Sequence, residues 1–305
     1  MAAMASTTGA TADLKVEVPR ARPRIIGVLD CDVHKNFPEH LGFQYYGDRV
    51  EQWLCAEPGD GAGSWEWTQF RVNCPSPQLP TLAQVESGFD GFVIPGSEAN
   101  VTDDRPWIEP LCAVLRHAHA HNKALFGICF GHQIIAHALG GLVGPQPPFN
   151  FTVDELEEVD SAAAAALGLP ATPTAGGLTP GPDETAAVPL KLYKAHGFQV
   201  LRPPRGAVVV WRSRRTPVEA FHIGATVLGF QGHPEFTRGV MLAILPHVRG
   251  IMDPLEVPRA EAALAGSPAA GDDDSAAAAR PKPDTQQIRR LALRLLRAGS
   301  LFEES

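Results

Sequence analysis

The chain lacks the marks of several broad protein classes. It has no long basic run, and its 26 Lys and Arg face 34 Asp and Glu, for a net charge of −8. That balance is not the electrostatic footprint of a nucleic-acid binder, so no nucleic-acid partner is expected. No apolar run reaches the ~20 residues that a bilayer-spanning helix needs, and no membrane partner is expected. Five cysteines, an odd number, are scattered without a C-x-x-C pair. They suggest a reducing compartment rather than a disulfide framework. Met1 to Val18 is rich in Ala, Ser and Thr but lacks the apolar core of a secretory signal. Residues 1–23 read as a disordered leader, and the cytosol is the expected compartment. An organelle transit peptide is the alternative, against which stand the acidic Asp13 and Glu17.

What is present is a rhythm of strands and helices. The 305 residues suit one α/β domain of about 220 residues plus non-core segments. Arg24 to Asp30 is a nearly continuous apolar run, as in a parallel strand buried on both faces. Asp48 to Ala56 reads as a helix, Trp65 to Val72 as a strand, Thr81 to Ser87 as a short helix, and Phe89 to Ile94 as a strand. Trp107 to His121 is the next helix, opened by Asp103-Asp104 and Pro106. Strand and helix alternating in this way predict a doubly wound, mostly parallel sheet flanked by helices. After Gly141 the texture changes. Phe149, Phe151 and Val153 alternate, and short strands are expected at Leu190–Tyr193, Ala207–Trp211, Val218–Phe221 and Thr226–Phe230, a smaller antiparallel portion. Thr237 to Ile251 reads as a helix. Residues 161–188 read as a low-complexity insertion in a domain of 24–252, and residues 253–283 as a flexible spacer. Residues 284–305 carry an amphipathic helix with apolar Ile288, Leu291, Leu295 and Leu296 and basic Arg289, Arg290, Arg294 and Arg297. It reads as a terminal helix docked on the domain with a solvated basic face; membrane-surface or partner binding is the alternative.

One stretch carries chemistry. Ala124 to Ile128 is an apolar strand, Cys129 a sharp turn, and the helix after it ends at Gly140-Gly141. Glycines stand two residues either side of the cysteine. A nucleophile on a strand-to-helix turn has strained backbone, which Gly127 and Gly131 accommodate; this is the cysteine form of the G-x-S-x-G elbow. The turn also places Cys129 at the positive end of a helix, which favours thiolate. Cys31, Cys55, Cys74 and Cys112 lack that setting and read as inert.

A cysteine nucleophile needs an imidazole, and the imidazole a third group to hold it. His233 follows an apolar strand and so shares the carboxyl rim with Cys129. Glu235 is two residues on, and Pro234 stiffens the turn between them. His132 and His137 lie too close in sequence to turn back onto Cys129. His117 and His121 share a helix face, but no carboxylate or cysteine sits at matching spacing, so a solvated helix end is expected and no metal.

With G-I-C-F-G-H-Q at 127–133 and G-H-P-E at 232–235, the chain resembles class I glutamine amidotransferases over about residues 24–252. Three segments are most similar to plant γ-glutamyl peptidases: Phe92 to Ser97 with Asp103 to Ile108, Gly127 to Ala136, and Phe230 to Phe236. The end of the chain, from Pro283, also resembles theirs. The resemblance implies a flavodoxin-like fold and a catalytic set of Cys129, His233 and Glu235. It implies that the N–H groups of Gly96 and Phe130 form an oxyanion hole, that Gln133 touches the substrate amide, and that Gly197 and Phe198 bind substrate as in the H-G-F of carbamoyl-phosphate synthetase small subunits. It implies no cofactor. The chain departs from the plant proteins at Phe198, where they carry an acidic residue, and at Gly144 to Phe151, which replaces a Gly-Trp-containing segment. Both departures bear on substrate recognition.

The expected activity is hydrolysis of the γ-glutamyl amide of glutathione, its S-conjugates or related small molecules through a γ-glutamyl thioester. The alternative is a glutaminase subunit feeding ammonia to a separate synthetase. The chain carries neither an S-G-G-x-D-S nor a G-x-x-x-x-G-K-[ST] phosphate loop, so a synthetase would have to be a partner. A non-enzymatic role is the third reading, disfavoured by the intact Cys-His-Glu set.

Overall fold

The computed structural model describes residues 22–32, 41–56, 65–169, 190–265 and 285–302. The leader at Met1 to Val18, the link at Glu57 to Gly63, and most of both low-complexity stretches lie outside the described residues.

Five strands run parallel in the order β2 (Trp65–Arg71), β1 (Arg24–Asp30), β3 (Gly91–Ile94), β4 (Ala124–Ile128) and β10 (Val227–Phe230). Antiparallel β9 (Ala220–Ile223), β8 (Ala207–Arg212) and β6 (Glu157–Glu158) extend the β10 edge. The central strands are apolar without alternation because both faces are covered. In β4, Phe126 and Ile128 join one core and Leu125 the other. The first core packs against α1 (Tyr46–Leu54), through Val50 and Trp53, and α8 (Gln286–Ala298). The second packs against α3 (Ile108–Ala120) and α4 (Phe130–Ala138), with Val85 of α2 (Leu82–Ser87).

Thr81 caps α2 with a capping box to Gln84, satisfying N–H groups that the helix itself cannot. A separate pair, β5 (Leu142–Glu155) and β7 (Lys191–Arg202), forms a two-stranded antiparallel sheet. It lies over the carboxyl rim: the backbone N–H of His233 donates to the Tyr193 carbonyl at 2.9 Å. A third apolar cluster joins this ribbon to α6 (Arg238–Val248) and α7 (Val257–Ala265) through Phe151, Tyr193, Met241 and Leu264.

Three sequence expectations differ from the structure. Ser161–Ala166, inside the expected insertion, is a short helix (α5) whose first turn is capped by Asp160. Val257–Ala265, inside the expected spacer, is α7. Both are Ala-rich and short, so they show little apolar periodicity, and tertiary contact decides them. The basic face of α8 is only partly solvated. Ile288, Leu291, Leu295 and Leu296 are buried as expected, but so is Arg289, and Arg294 donates to the carbonyls of Leu167 and Leu301, each at 3.2 Å. Each of those four apolar side chains contributes on the order of 2 kcal/mol by burial. Among the described residues no helix is long and apolar enough to cross a membrane.

Candidate active site

Cys129 sits where β4 turns into α4, at φ 52 and ψ −103. That is a disfavoured region for a residue with a side chain, and such strain persists only where the surroundings over-determine it. Here they do. The Cys129 N–H donates to the Phe230 carbonyl at 2.8 Å, and the Gly131 N–H to the Pro95 carbonyl at 3.2 Å. A Cβ on Gly127 would come within 2.5 Å of the Gly131 carbonyl carbon, and one on Gly131 would sink into the Ile94 carbonyl. The two glycines therefore let α4 settle directly onto the ends of β4 and β3.

The carboxyl ends of β3, β4 and β10 are neighbours, and each delivers one part of the site. Gly96 follows β3. A Cβ there would lie 3.2 Å from Cε1 of His233 and 3.9 Å from Cβ of Cys129, so Gly96 is in van der Waals reach of both. Phe130 opens α4, and its N–H, the first of the helix, has no acceptor within the helix. His233 and Glu235 follow β10 in the turn that leads to α6.

His233 and Glu235 are buried, with Nδ1 of His233 2.9 Å from Oε1 of Glu235. That bond leaves Nε2 as the ring's other polar atom, also buried. Burial alone would lower the pKa of His233, but the negative charges of Glu235 and of a Cys129 thiolate outweigh it and raise the pKa to about 10. The ring stacks on Phe236 at 3.9 Å, and Phe236 stacks on Tyr46 of α1 at 5.8 Å. Cys129 and His233 thus line one cavity, with Glu235 behind the imidazole, Gly96 within reach of both and Phe130 next to Cys129 in the chain.

The expected substrate-contacting residues Gln133, Gly197 and Phe198 all line a cavity of about 370 Å³ that opens beside Cys129. Gln133 lines the cavity and also holds the site together. Its amide NH2 donates to the Phe198 carbonyl at 2.8 Å and to Oε1 of Gln231 at 3.1 Å, so it fastens α4 to the β7 ribbon. The Phe198 carbonyl also lies 3.0 Å from Nδ1 of His196. Burial, with the Lys194 charge nearby, pushes the pKa of His196 well below its usual value, and the ring is neutral at pH 7. His132 is neutral too, with a pKa lowered to about 3 by burial, as befits a ring packed on Phe221 at 4.8 Å.

Three contributors escaped the sequence reading. Gln231 is fully buried and points its amide Nε2 at the Cys129 sulfur, 3.7 Å away. Arg49 of α1, also buried, donates from Nε to the Glu235 carbonyl at 2.7 Å. The outer cavity wall is α6, with Ala243, Ile244, His247 and Val248, joined by Ile251 just beyond the helix. Gln231 stands two residues before His233 and could have been suspected from that position. Arg49 carries no local signal, and α6, legible as a helix, carries none that sets it against the cavity.

Residues 65–245 match the family model for class I glutamine amidotransferases. The chain belongs to the class I glutamine amidotransferase family. Among its relatives, γ-glutamyl peptidase 2 of Arabidopsis thaliana is 32% identical over 208 residues, covering 68% of this chain and 76% of that protein. The glutamine-hydrolyzing GMP synthase of Aeropyrum pernix is 32% identical over 161 residues, covering 53% of this chain but 27% of that longer protein. In structure, the chain is similar to a glutamine amidotransferase from Methylobacillus flagellatus, with a TM-score of 0.54 at 20% identity, covering 93% of this chain and 97% of that one. That likeness speaks for the fold alone, a mostly parallel sheet between helices with a small antiparallel sheet.

Proposed function

We propose that this protein is a cysteine-dependent hydrolase that cleaves the γ-glutamyl amide bond of glutathione, its S-conjugates or related γ-glutamyl compounds. The observation that supports the reading is that Cys129, on its strained turn, lines the same cavity as a buried His233 whose Nδ1 meets Glu235. The γ-glutamyl peptidase relatives support the choice of bond.

In the first step the Cys129 sulfur attacks the γ-carbonyl carbon. The N–H groups of Gly96 and Phe130 receive the oxyanion, each worth on the order of 3 kcal/mol if they act as other oxyanion-hole donors do. Nε2–H of His233 protonates the leaving amine as the C–N bond breaks, leaving a γ-glutamyl thioester. A water then gives its proton to His233 Nε2 and attacks the thioester. Glutamate leaves, and the thiolate and imidazolium are restored. Glu235 stays ionised throughout and holds the imidazole in register. Gly197 and Phe198 bound the glutamyl end of the cavity, with Gln133 fixing that wall. The chemistry calls for no cofactor, and the five free thiols suit work in the cytosol.

The second reading is a glutaminase subunit that supplies ammonia to a synthetase partner; the glutamine-hydrolyzing GMP synthase relatives favour it. One assay separates the two. Purified protein alone is given glutathione, a glutathione S-conjugate or glutamine, with Cys129→Ala as control. Release of the cysteinyl-glycine side, lost in the control, is the expected outcome. Turnover of glutamine alone would replace the peptidase reading with the glutaminase one.

A further inference from the structure

We propose that Glu86, His117 and His121 bind one divalent transition-metal ion, of the zinc kind, that clips α2 to α3. The two histidines stand one helical turn apart at the end of α3, and the carboxylate comes from α2, 31 residues earlier than His117. Oε1 of Glu86 lies 2.8 Å from Nε2 of His117 and 3.7 Å from Nε2 of His121. All three ligand atoms fall within 4.8 Å of one another. Tetrahedral zinc with bonds of 2.0–2.1 Å needs ligand atoms about 3.3 Å apart. Those two separations bracket that spacing and the third lies within 4.8 Å, so rotation of the side chains brings the three atoms to it.

The orientation of His121 is already that of a ligand. Its Nδ1 lies 2.8 Å from the His117 carbonyl, which can only accept. Nδ1 therefore carries a proton, and Nε2 is the nitrogen turned toward Glu86. A metal-binding histidine is commonly held this way, by a carbonyl at its other nitrogen. Two imidazoles and one carboxylate form a donor set suited to zinc, nickel or copper rather than to magnesium or calcium. The side chains are 23%, 40% and 50% exposed for His117, His121 and Glu86, so water can complete the coordination. Lys123 is close, but its ammonium is engaged by the carbonyls of Glu86 and Phe89 at 2.6 and 2.9 Å. The cluster lies at the amino end of β4, the opposite rim from Cys129, so its role is to fasten a short helix that buries only Val85 and not to take part in the reaction.

The test is equilibrium dialysis of zinc against the full chain carrying Cys129→Ala, which removes a thiol that would itself take zinc. Uptake of one equivalent at micromolar free zinc is expected, weakened at least about tenfold by His117→Ala or His121→Ala and also by Glu86→Gln. His119→Ala, on another face of the helix, should leave it unchanged. Zinc should also raise the thermal midpoint of the Cys129→Ala protein and not that of the His117→Ala, His121→Ala double variant in the same background. No uptake, or uptake that survives all three substitutions, would overturn the site.

Discussion

The two walls of the cavity are built differently. The inner wall is the carboxyl rim of β3, β4 and β10, where Gly96, Cys129 and His233 sit on tight turns between regular elements. The outer wall is the β5–β7 ribbon and α6, where Phe149, Phe198, Ile244 and Val248 face the same space. On the inner wall the position of each group is set by backbone geometry within a few residues. On the outer wall it is set by packing between elements far apart in the chain. Under the proposed function, the inner wall does the chemistry and the outer wall binds the substrate, its glutamyl end at Gly197 and Phe198 and its amine side at α6.

Substitutions can break that comparison, and the largest effect is expected at Cys129. Cys129→Ala should lower turnover to background while substrate Kd stays within about threefold; calorimetry and steady-state rates check both. Next is Glu235→Gln. With the carboxylate gone the imidazolium loses its partner, and kcat should fall by roughly a hundredfold or more. The same change has a stability signature. The pKa of His233 is raised in the folded protein to about 10, from about 6.5 unfolded. Its charge therefore stabilises the fold fully below pH 6.5, and that stability is lost as pH rises through 10. The denaturation midpoint of the wild type should decline between pH 7 and pH 10, and Glu235→Gln should flatten that decline.

Gln231→Leu removes the donor to the sulfur and the acceptor for Gln133. It should slow alkylation of Cys129 by iodoacetamide, and kcat/KM, by about tenfold. Arg49→Met leaves the buried Glu235 carbonyl unpaired. It should cost about 1–3 kcal/mol of stability with a smaller loss of rate, measurable by denaturant titration. The smallest effect is expected on the outer wall. Ile244→Trp should lower kcat/KM for a bulky S-conjugate relative to glutathione and leave the alkylation rate of Cys129 as it was. If it slowed alkylation instead, the two walls would not be separable.

The same contrast explains what was legible in the sequence. The strands β1, β3 and β4 could be read because apolar runs buried on both faces, bounded by Gly, Pro and Asp, have few other meanings, and β2, at the sheet edge, because its residues alternate. The turn at Cys129 could be read because glycines at 127 and 131 answer a steric demand of the elbow itself. His233 and Glu235 could be paired because they are two residues apart. Arg49 could not be read, since its bond spans 186 residues and a buried arginine inside an amphipathic helix looks like any solvated one. Gln133 was placed correctly beside the cavity, yet its partners are the Phe198 carbonyl, 65 residues on, and Gln231, 98 residues on. The same limit hid Glu86: spacing along one helix revealed His117 and His121, and only the packing of α2 on α3 supplied the carboxylate.

The central claim is that Cys129 carries the γ-glutamyl group between the two steps. The most direct test is to mix the protein with excess glutathione S-conjugate, quench in acid within the first turnover, and weigh the intact chain. The account predicts a species heavier by one γ-glutamyl group, located on the peptide containing Cys129 and absent from Cys129→Ala. Release of the amine product with no such adduct, or an adduct on another cysteine, would contradict it.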